Sequence, residues 1–437
     1  MPLLSRLAAW DVLLPVVAVL AVAAYLVAGL AAFSHRAAIV ALAASYVVLM
    51  VWLSGRPRDV RLTVFISQAA VLIGVYAAEI YASHRKYETT SLLGEADRLR
   101  AKGEDAWPAI PPSTWYGHFR NEIDAVGRTP LLLAGLSNVK SVLCIEAVGW
   151  VHFQSDRFGF RNPPRPAAGD AYDVVLIGDS FTQGTCVPDG DTMADHLRRS
   201  GLSLLNLGMH GSGPLFELAI LQEYAARPRT ARIVWFFYEG NDMHELARES
   251  RSVMLPRYLT DGAFQGLENR QDEIDAAIKT GLANRNDRFP WRDIVRLKEL
   301  RVALGLQGIG HDGDLNPEVA PLLPLLGEVL GKARRFTEDK GAAFTLVYLP
   351  TPWRFNKGTS DAVYFPAMEK AVTDLACRSG IDFLSMTRVV ERSPDPLAYY
   401  ASIGGARGHF TADGYRLAAD TVRAHLAGQT QSDCPTR

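Results

Sequence analysis

The chain has 437 residues, more than one typical domain holds. Its formal net charge of -1 gives no general affinity for nucleic acid. Hydrophobic residues make up 48% of it, and most of the excess falls before residue 84. The four cysteines, Cys144, Cys186, Cys377 and Cys434, form no CxxC pair and no zinc spacing. They allow two disulfides in an oxidising compartment, or buried free thiols.

Val12–Phe33, Ala37–Leu53 and Leu62–Glu79 are nearly free of charge, and each approaches the ~20 residues that span a bilayer. Trp10, Trp52 and Tyr81 sit near their ends, as interfacial aromatics do. The sequence therefore predicts three transmembrane helices within residues 1–83. Arg6, Arg56, Arg58 and Arg61 lie on one side, and Arg36, Arg85 and Lys86 on the other. This bias favours a cytoplasmic N-terminus. An odd number of spans then puts everything after about residue 84 outside the cytoplasm, which in a bacterium means an inner-membrane protein with a periplasmic domain.

Residues 84–170 read as a juxtamembrane helix (Ser91–Lys102), a proline-broken linker at Pro108, Pro111 and Pro112, and an aromatic lead-in ending near Asn162-Pro163. Residues 171–430 read as the main domain. Asp173–Ile177 is a short buried strand, ended by Gly178-Asp179-Ser180. Further strands are expected at Leu202–Leu207, Arg232–Tyr238, Ala343–Leu349 and Ile381–Leu384. Helices are expected at Asp191–Arg199, from Pro214 to about Ala226, and near 317–339, 361–378 and 411–426. Alternating strands and helices predict a parallel, doubly wound five-stranded sheet. Residues 250–316 interrupt the alternation. There Pro290-Trp291 opens a basic amphipathic helix with Arg292, Arg296, Lys298 and Arg301, which reads as a solvated face or as a lid or surface for anionic glycan or lipid headgroups.

Ligands of such sheets bind beyond the strands' carboxyl ends. The Ser180 turn, the glycine-rich turn Leu207–Gly213 and the turn Glu239–Asp242 all fall there. Acyl transfer needs a nucleophile, a base and donors for the oxyanion. Ser180 supplies the nucleophile. The N–H groups of Ser180 and Gly211 and the side chain of Asn241 supply donors. His409, just before the last helix and its cap Thr411, supplies the base. His210 and His244 compete for that role and read better as pocket or packing residues. Asp179 and Asp242 read as structural acceptors. Cys186 has no adjacent base by sequence, and a disulfide from it to Cys144 would tie the lead-in to the serine loop.

Residues 171–426 resemble the SGNH hydrolases, the GDSL-type esterase superfamily. Their first block matches Gly178-Asp179-Ser180-Phe181. The second-block glycine falls on Gly211, counted from Asn206. The Gly-x-Asn-Asp block falls on Glu239-Gly240-Asn241-Asp242, with Glu239 in the place of glycine. The Asp-x-x-His block falls on Ala406-Arg407-Gly408-His409, so the aspartate that orients the histidine is missing. Asp395 or a loop carbonyl is the substitute considered, or else a Ser-His dyad. The resemblance implies a flavodoxin-like three-layer α/β/α sandwich without metal or organic cofactor.

The resulting expectation is a membrane-anchored serine esterase or acyltransferase, acting on O-acetyl or other O-acyl groups of cell-surface or exported polysaccharide. Its partners are an acylated glycan or small ester, the membrane, and, for a transferase, a membrane protein that delivers the acyl donor. A lipid esterase, lysophospholipase or thioesterase is the second expectation. A catalytically weak glycan-binding or assembly component is the third, suggested by Ala406 and Glu239.

Overall fold

The computed structural model describes residues 16–17, 33–112, 130–146, 148–163, 171–260, 263–284, 290–303, 318–355, 361–403 and 406–434. The chain forms two compact units, residues 1–91 with 286–316, and residues 92–285 with 317–437.

In the first unit, helix Phe33–Ser54 ends before Pro57, and helix Arg58–Thr90 begins directly after it. Proline cannot continue a helix but tolerates its start. Tyr46 donates to Gln68 across the two helices at 3.1 Å, and Met50 and Leu53 pack against Val64. Ile66, Val71, Leu72 and Ile73 are exposed, an apolar surface that water does not favour. Among the described residues one helix, Arg58–Thr90, is long and apolar enough to cross a membrane, not the three expected. Helix Phe33–Ser54 contributes a shorter apolar stretch, Ala43–Ser54. The expected span Val12–Phe33 lies outside the described residues, apart from Val16, Val17 and Phe33.

The expected basic helix of the insertion is two short helices, Trp291–Val295 and Lys298–Ala303, broken at Leu297 with φ of 50°. They pack on helix Arg58–Thr90. Glu79 accepts from the N–H groups of Glu299 (2.9 Å) and Leu300 (2.8 Å), satisfying donors that a helix start leaves open. Tyr76 donates to the Val295 carbonyl, and Lys86 pairs with Glu299.

The second unit opens with helix Leu92–Arg100 and a three-stranded sheet that sequence reasoning took for linker and lead-in: β1 (Ala106–Pro108), β2 (Lys140–Glu146) and β3 (Gly149–Gln154). The main sheet holds β4 (Ala171–Ile177), β5 (Leu204–Asn206), β6 (Arg229–Tyr238), β7 (Ala343–Leu349) and β8 (Asp382–Ser385). Its order is β5-β4-β6-β7-β8, all parallel. The expected five-stranded α/β architecture is therefore present. A short antiparallel pair, β9 (Tyr400–Ile403) and β10 (Ala406–Phe410), precedes the last helix.

Side chains along a strand alternate between faces, so a sheet covered on both sides must be apolar on both. Val174, Leu176, Val234, Phe236, Val347 and Leu349 enter one core with Met193 and Leu197 of helix Met193–Arg199 and Tyr415, Ala418 and Val422 of helix Ala412–Leu426. Val175, Ile177, Ile233, Trp235, Phe237 and Leu346 enter the other. There they meet helices Pro214–Tyr224, Leu323–Asp339 and Asp361–Arg378 through Leu218, Val329 and Val372. The first half of the insertion belongs to this second core: Leu255, Tyr258, Leu267, Ile274 and Ile278 are all buried in it.

Beyond β6 and β7 a buried ion pair joins neighbouring strand ends. Glu239 accepts from Arg354 Nε (2.9 Å) and Nη2 (2.6 Å), from the Thr351 N–H (2.8 Å) and from the Tyr348 hydroxyl (2.7 Å). Arg354 also reaches Glu369 at 2.8 Å. Removing one partner leaves a buried charge unmatched, so Arg354→Leu should cost about 3–5 kcal/mol in urea unfolding. The Arg354→Leu/Glu239→Leu double variant should cost less than the single one. A double variant as unstable as the single would show that Glu239 does not depend on Arg354.

Candidate active site

β4 lies where the chain winds outward in both directions, to β5 on one side and β6 on the other. Such a switch point opens a crevice at the strands' carboxyl ends. Gly178 ends β4 with φ of 150°, and a Cβ there would collide with the Thr182 hydroxyl. The chain turns at once into the helical turn Ser180–Gln183, capped by Asp179, whose Oδ1 accepts the Phe181 N–H at 2.8 Å. Tyr415 of the last helix donates to the Thr185 carbonyl at 3.0 Å and fixes the loop that follows.

The second turn is locked onto the first. Met209 N–H donates to the Gly178 carbonyl at 3.0 Å, and the Asn206 side chain donates to the Thr182 carbonyl and accepts from Gly208 N–H, both at 2.9 Å. A Cβ on Gly208 would strike the Thr182–Gln183 backbone. Gly211 lies on this turn with φ of 71°. Asn241 opens helix Asp242–Glu249, and its side chain near Asp179, the residue before Ser180, favours the ionised carboxyl.

β10 delivers the histidine. His409 Nε2 lies 3.0 Å from Ser180 Oγ, and Nδ1 lies 2.8 Å from Glu146 Oε1. Phe181 packs beside the imidazole, with ring centroids 5.1 Å apart, and meets Phe410 edge-on at 4.8 Å. With Nδ1–H given to the carboxylate, the Nε2 lone pair faces the serine hydroxyl. This is the tautomer a general base needs. Ser180 Oγ also lies 3.3 Å from Asp179 Oδ2.

Glu146 is the functional residue that sequence reasoning missed. It ends β2, far from the histidine block in sequence. Gly408 makes room for it: a Cβ at that position would lie 2.9 Å from Glu146 Oε2. The available signal was the expected Cys144–Cys186 disulfide, which the structure contains. It places residue 144, and hence residue 146, beside the serine loop. Cys377 and Cys434 form the second disulfide.

The other expected residues separate by position. Asp395, considered as the orienting acid, instead caps the turn Pro396–Tyr399 by accepting from Leu397 N–H at 3.1 Å. His210 Nε2 lies 3.0 Å from the Ala109 carbonyl, and burial pushes its pKa down to about 4, so the ring stays neutral and its proton is committed. His244 lies half-buried on helix Asp242–Glu249, outside the Ser180–His409–Glu146 chain. Asp242 is buried and accepts the Tyr238 N–H at 2.9 Å; burial, then the nearby Glu217 and Asp179, push its carboxyl well up. Burial likewise raises Asp179 to about 6, although the Phe181 N–H, His409, Ser180 and Asn241 favour its ionised form. Glu239, the departure from the glycine pattern, turns away to Arg354. Cys186 Sγ lies with ligand atoms of Glu146 and His409 within 4.8 Å, but it is bonded to Cys144 and offers no thiolate.

A serine, an imidazole and a carboxylate lie in hydrogen-bonded series beyond the carboxyl ends of a parallel sheet, an arrangement suited to nucleophilic acyl transfer. No protein-family model matches the sequence, and no curated protein matches it. Solved structures that match include a putative lipolytic protein of the G-D-S-L family from Desulfitobacterium hafniense DCB-2. It has 14% identity and a TM-score of 0.32, and the match covers 58% of this chain and 98% of that one. The lipase/acylhydrolase from Enterococcus faecalis has 14% identity, a TM-score of 0.33 and coverage of 61% and 100%. A G-D-S-L lipolytic protein from Veillonella parvula DSM 2008 has 12% identity, a TM-score of 0.33 and coverage of 59% and 99%.

Glu146→Gln keeps the shape but removes the charge that stabilises the imidazolium, so kcat for a small ester should fall by about 100-fold or more with KM little changed. Asp395→Asn should leave kcat within about twofold. The reverse ranking would return the orienting role to Asp395.

His210 also sets a pH dependence of stability. As pH falls from 6.5 towards about 4, the unfolded chain takes up a proton that the folded chain refuses. Its contribution is complete above pH 6.5 and is lost as pH falls through about 4. His210→Gln should therefore flatten the decline in unfolding free energy across that window, measured by urea titration. An unchanged slope would show that other groups carry it.

Proposed function

We propose that this chain is a membrane-anchored serine esterase or acyltransferase that works through an acyl-enzyme on Ser180. The observation that carries this reading is the continuous hydrogen-bonded series from Ser180 through His409 to Glu146. Ser180 Oγ attacks an ester carbonyl and gives its proton to His409 Nε2. Glu146 stabilises the imidazolium that forms. The N–H groups of Ser180 and Gly211 and the Asn241 amide receive the oxyanion. His409 then protonates the departing alcohol, and water or a sugar hydroxyl resolves the acyl-serine in a second, mirrored step.

The substrate we propose is an O-acetyl or similar O-acyl group on cell-surface or exported polysaccharide, with the catalytic unit in the periplasm or outside the cell. Two disulfides support an oxidising compartment. The apolar helix Arg58–Thr90 supports anchoring in a membrane. A transferase would take its donor from a membrane partner. The same apolar helix favours a lipid esterase as the second reading. The acid supplied by Glu146 speaks against a glycan-binding component without catalysis.

Fluorophosphonate labelling of the detergent-solubilised protein tests the chemistry. Label should appear on the wild type and vanish in Ser180→Ala and His409→Ala. A folded wild type that takes no label would overturn the reading. A chain-length series of p-nitrophenyl esters should favour acetate; a preference for long acyl chains would select the lipid esterase.

A further inference from the structure

Glu146 lies at the end of β2, an element that pairs with β1 and β3 and also approaches β9. β1 pairs with β2 only over Lys140–Val142. From Cys144 to Glu146, among the described residues, β2 pairs with β3 alone, after a register shift between Val142 and Cys144. Glu146 pairs with Gly149 at the tip of this two-stranded ladder. A two-stranded ribbon is marginal by itself in water. The Glu146 carboxylate thus sits on the part of β2 that is paired on one side.

Cys144 is two residues before Glu146, and residues i and i+2 of a strand share a face. Its sulfur is bonded to Cys186, six residues after Ser180. That end of the bond is firmly held. Gly184 and Thr185 N–H groups donate to the Ser180 carbonyl at 3.1 and 3.0 Å. Buried Arg161 donates to the carbonyls of Gly184 (2.5 Å) and Val187 (2.9 Å), bracketing Cys186. Cys186 itself has φ of 67°, a backbone conformation that a side-chain-bearing residue adopts only under constraint.

From this arrangement we infer that the Cys144–Cys186 disulfide is a positioning device: it holds the tip of the β2–β3 ladder against the serine loop so that Glu146 reaches His409. The inference rests on the serine-esterase reading for its kinetic consequence, not for its geometry. When a dithiol reduces the bond, two electrons and two protons convert it to two thiols, and the dithiol leaves as its cyclic disulfide. The ladder tip is then free to leave the imidazole, and the triad becomes a Ser-His dyad. Full activity therefore requires an oxidising compartment.

The test uses the full chain in detergent with p-nitrophenyl acetate, in EDTA to keep metal from the freed thiols. Dithiothreitol treatment of the wild type, and the Cys144→Ala/Cys186→Ala variant without it, should each lower kcat at least about tenfold with KM within about twofold. Cys377→Ala/Cys434→Ala should keep wild-type kcat when oxidised. In Glu146→Gln, reduction should change kcat by less than about twofold, because the group being positioned is already gone. Wild-type kcat after reduction, or an equal loss in Glu146→Gln, would overturn the inference. The hydrogen-bonded Nδ1 proton of His409 gives a readout independent of turnover. Its downfield NMR signal should be present in the oxidised wild type and absent in Glu146→Gln. It should disappear on reduction; its persistence would overturn the inference even if no esterase activity is found.

Discussion

The hydrogen bond between His409 Nδ1 and Glu146 Oε1 is the contact on which the candidate chemistry depends. An imidazole presents its Nε2 lone pair to a serine only when its other nitrogen holds the proton. A carboxylate at 2.8 Å fixes that choice and stabilises the charge that arrives when the serine is deprotonated. The position three residues before the histidine, where the resemblance to SGNH hydrolases leads one to expect this carboxylate, is Ala406. The acid instead enters from a strand that precedes the entire α/β sheet, and Gly408 leaves the space that it fills.

That exchange brings the lead-in into the candidate site. It is a small sheet with its own core, formed by Ala96, Leu99, Ala106 and Val142, rather than a tether. It grips the α/β layers at several points. Asn162 exchanges two hydrogen bonds of 2.8 Å with the backbone of Asn206, extending the β5 edge. Arg161 holds the loop after the nucleophile, and the disulfide crosses beside it. These contacts end on the loop that follows the serine turn or on Asn206, the last residue of β5 before the glycine turn. The placement of Glu146 and the rigidity of the nucleophile loop are therefore coupled through the same few residues.

Glu239 shows the same logic at another turn. A glycine is the simple solution where a strand runs into the Asn241 turn. Here a glutamate occupies the position, buried, and four donations from Arg354, Thr351 and Tyr348 offset its desolvation. The departure fastens the ends of β6 and β7 and leaves Asn241 beside Asp179.

The sequence by itself determined the local features. Apolar runs marked β4, β6 and β7, because strands covered on both faces are apolar on both. Thr411 marked a helix start, because its hydroxyl caps a free N–H group. The order of polar turns after strands placed Ser180, Gly211 and Asn241 at one sheet edge, because parallel strands share a carboxyl end. Three things were decided only by tertiary structure. The insertion divided between the two units, since Leu255–Leu282 have a core to enter while Trp291–Ala303 pack on helix Arg58–Thr90. His210 lost its candidacy through a carbonyl of the lead-in, about a hundred residues away in the chain. The orienting acid moved from residue 395 to residue 146. A carboxylate is recognised as catalytic by what it touches, and a contact across 263 residues leaves no periodicity or spacing in the sequence.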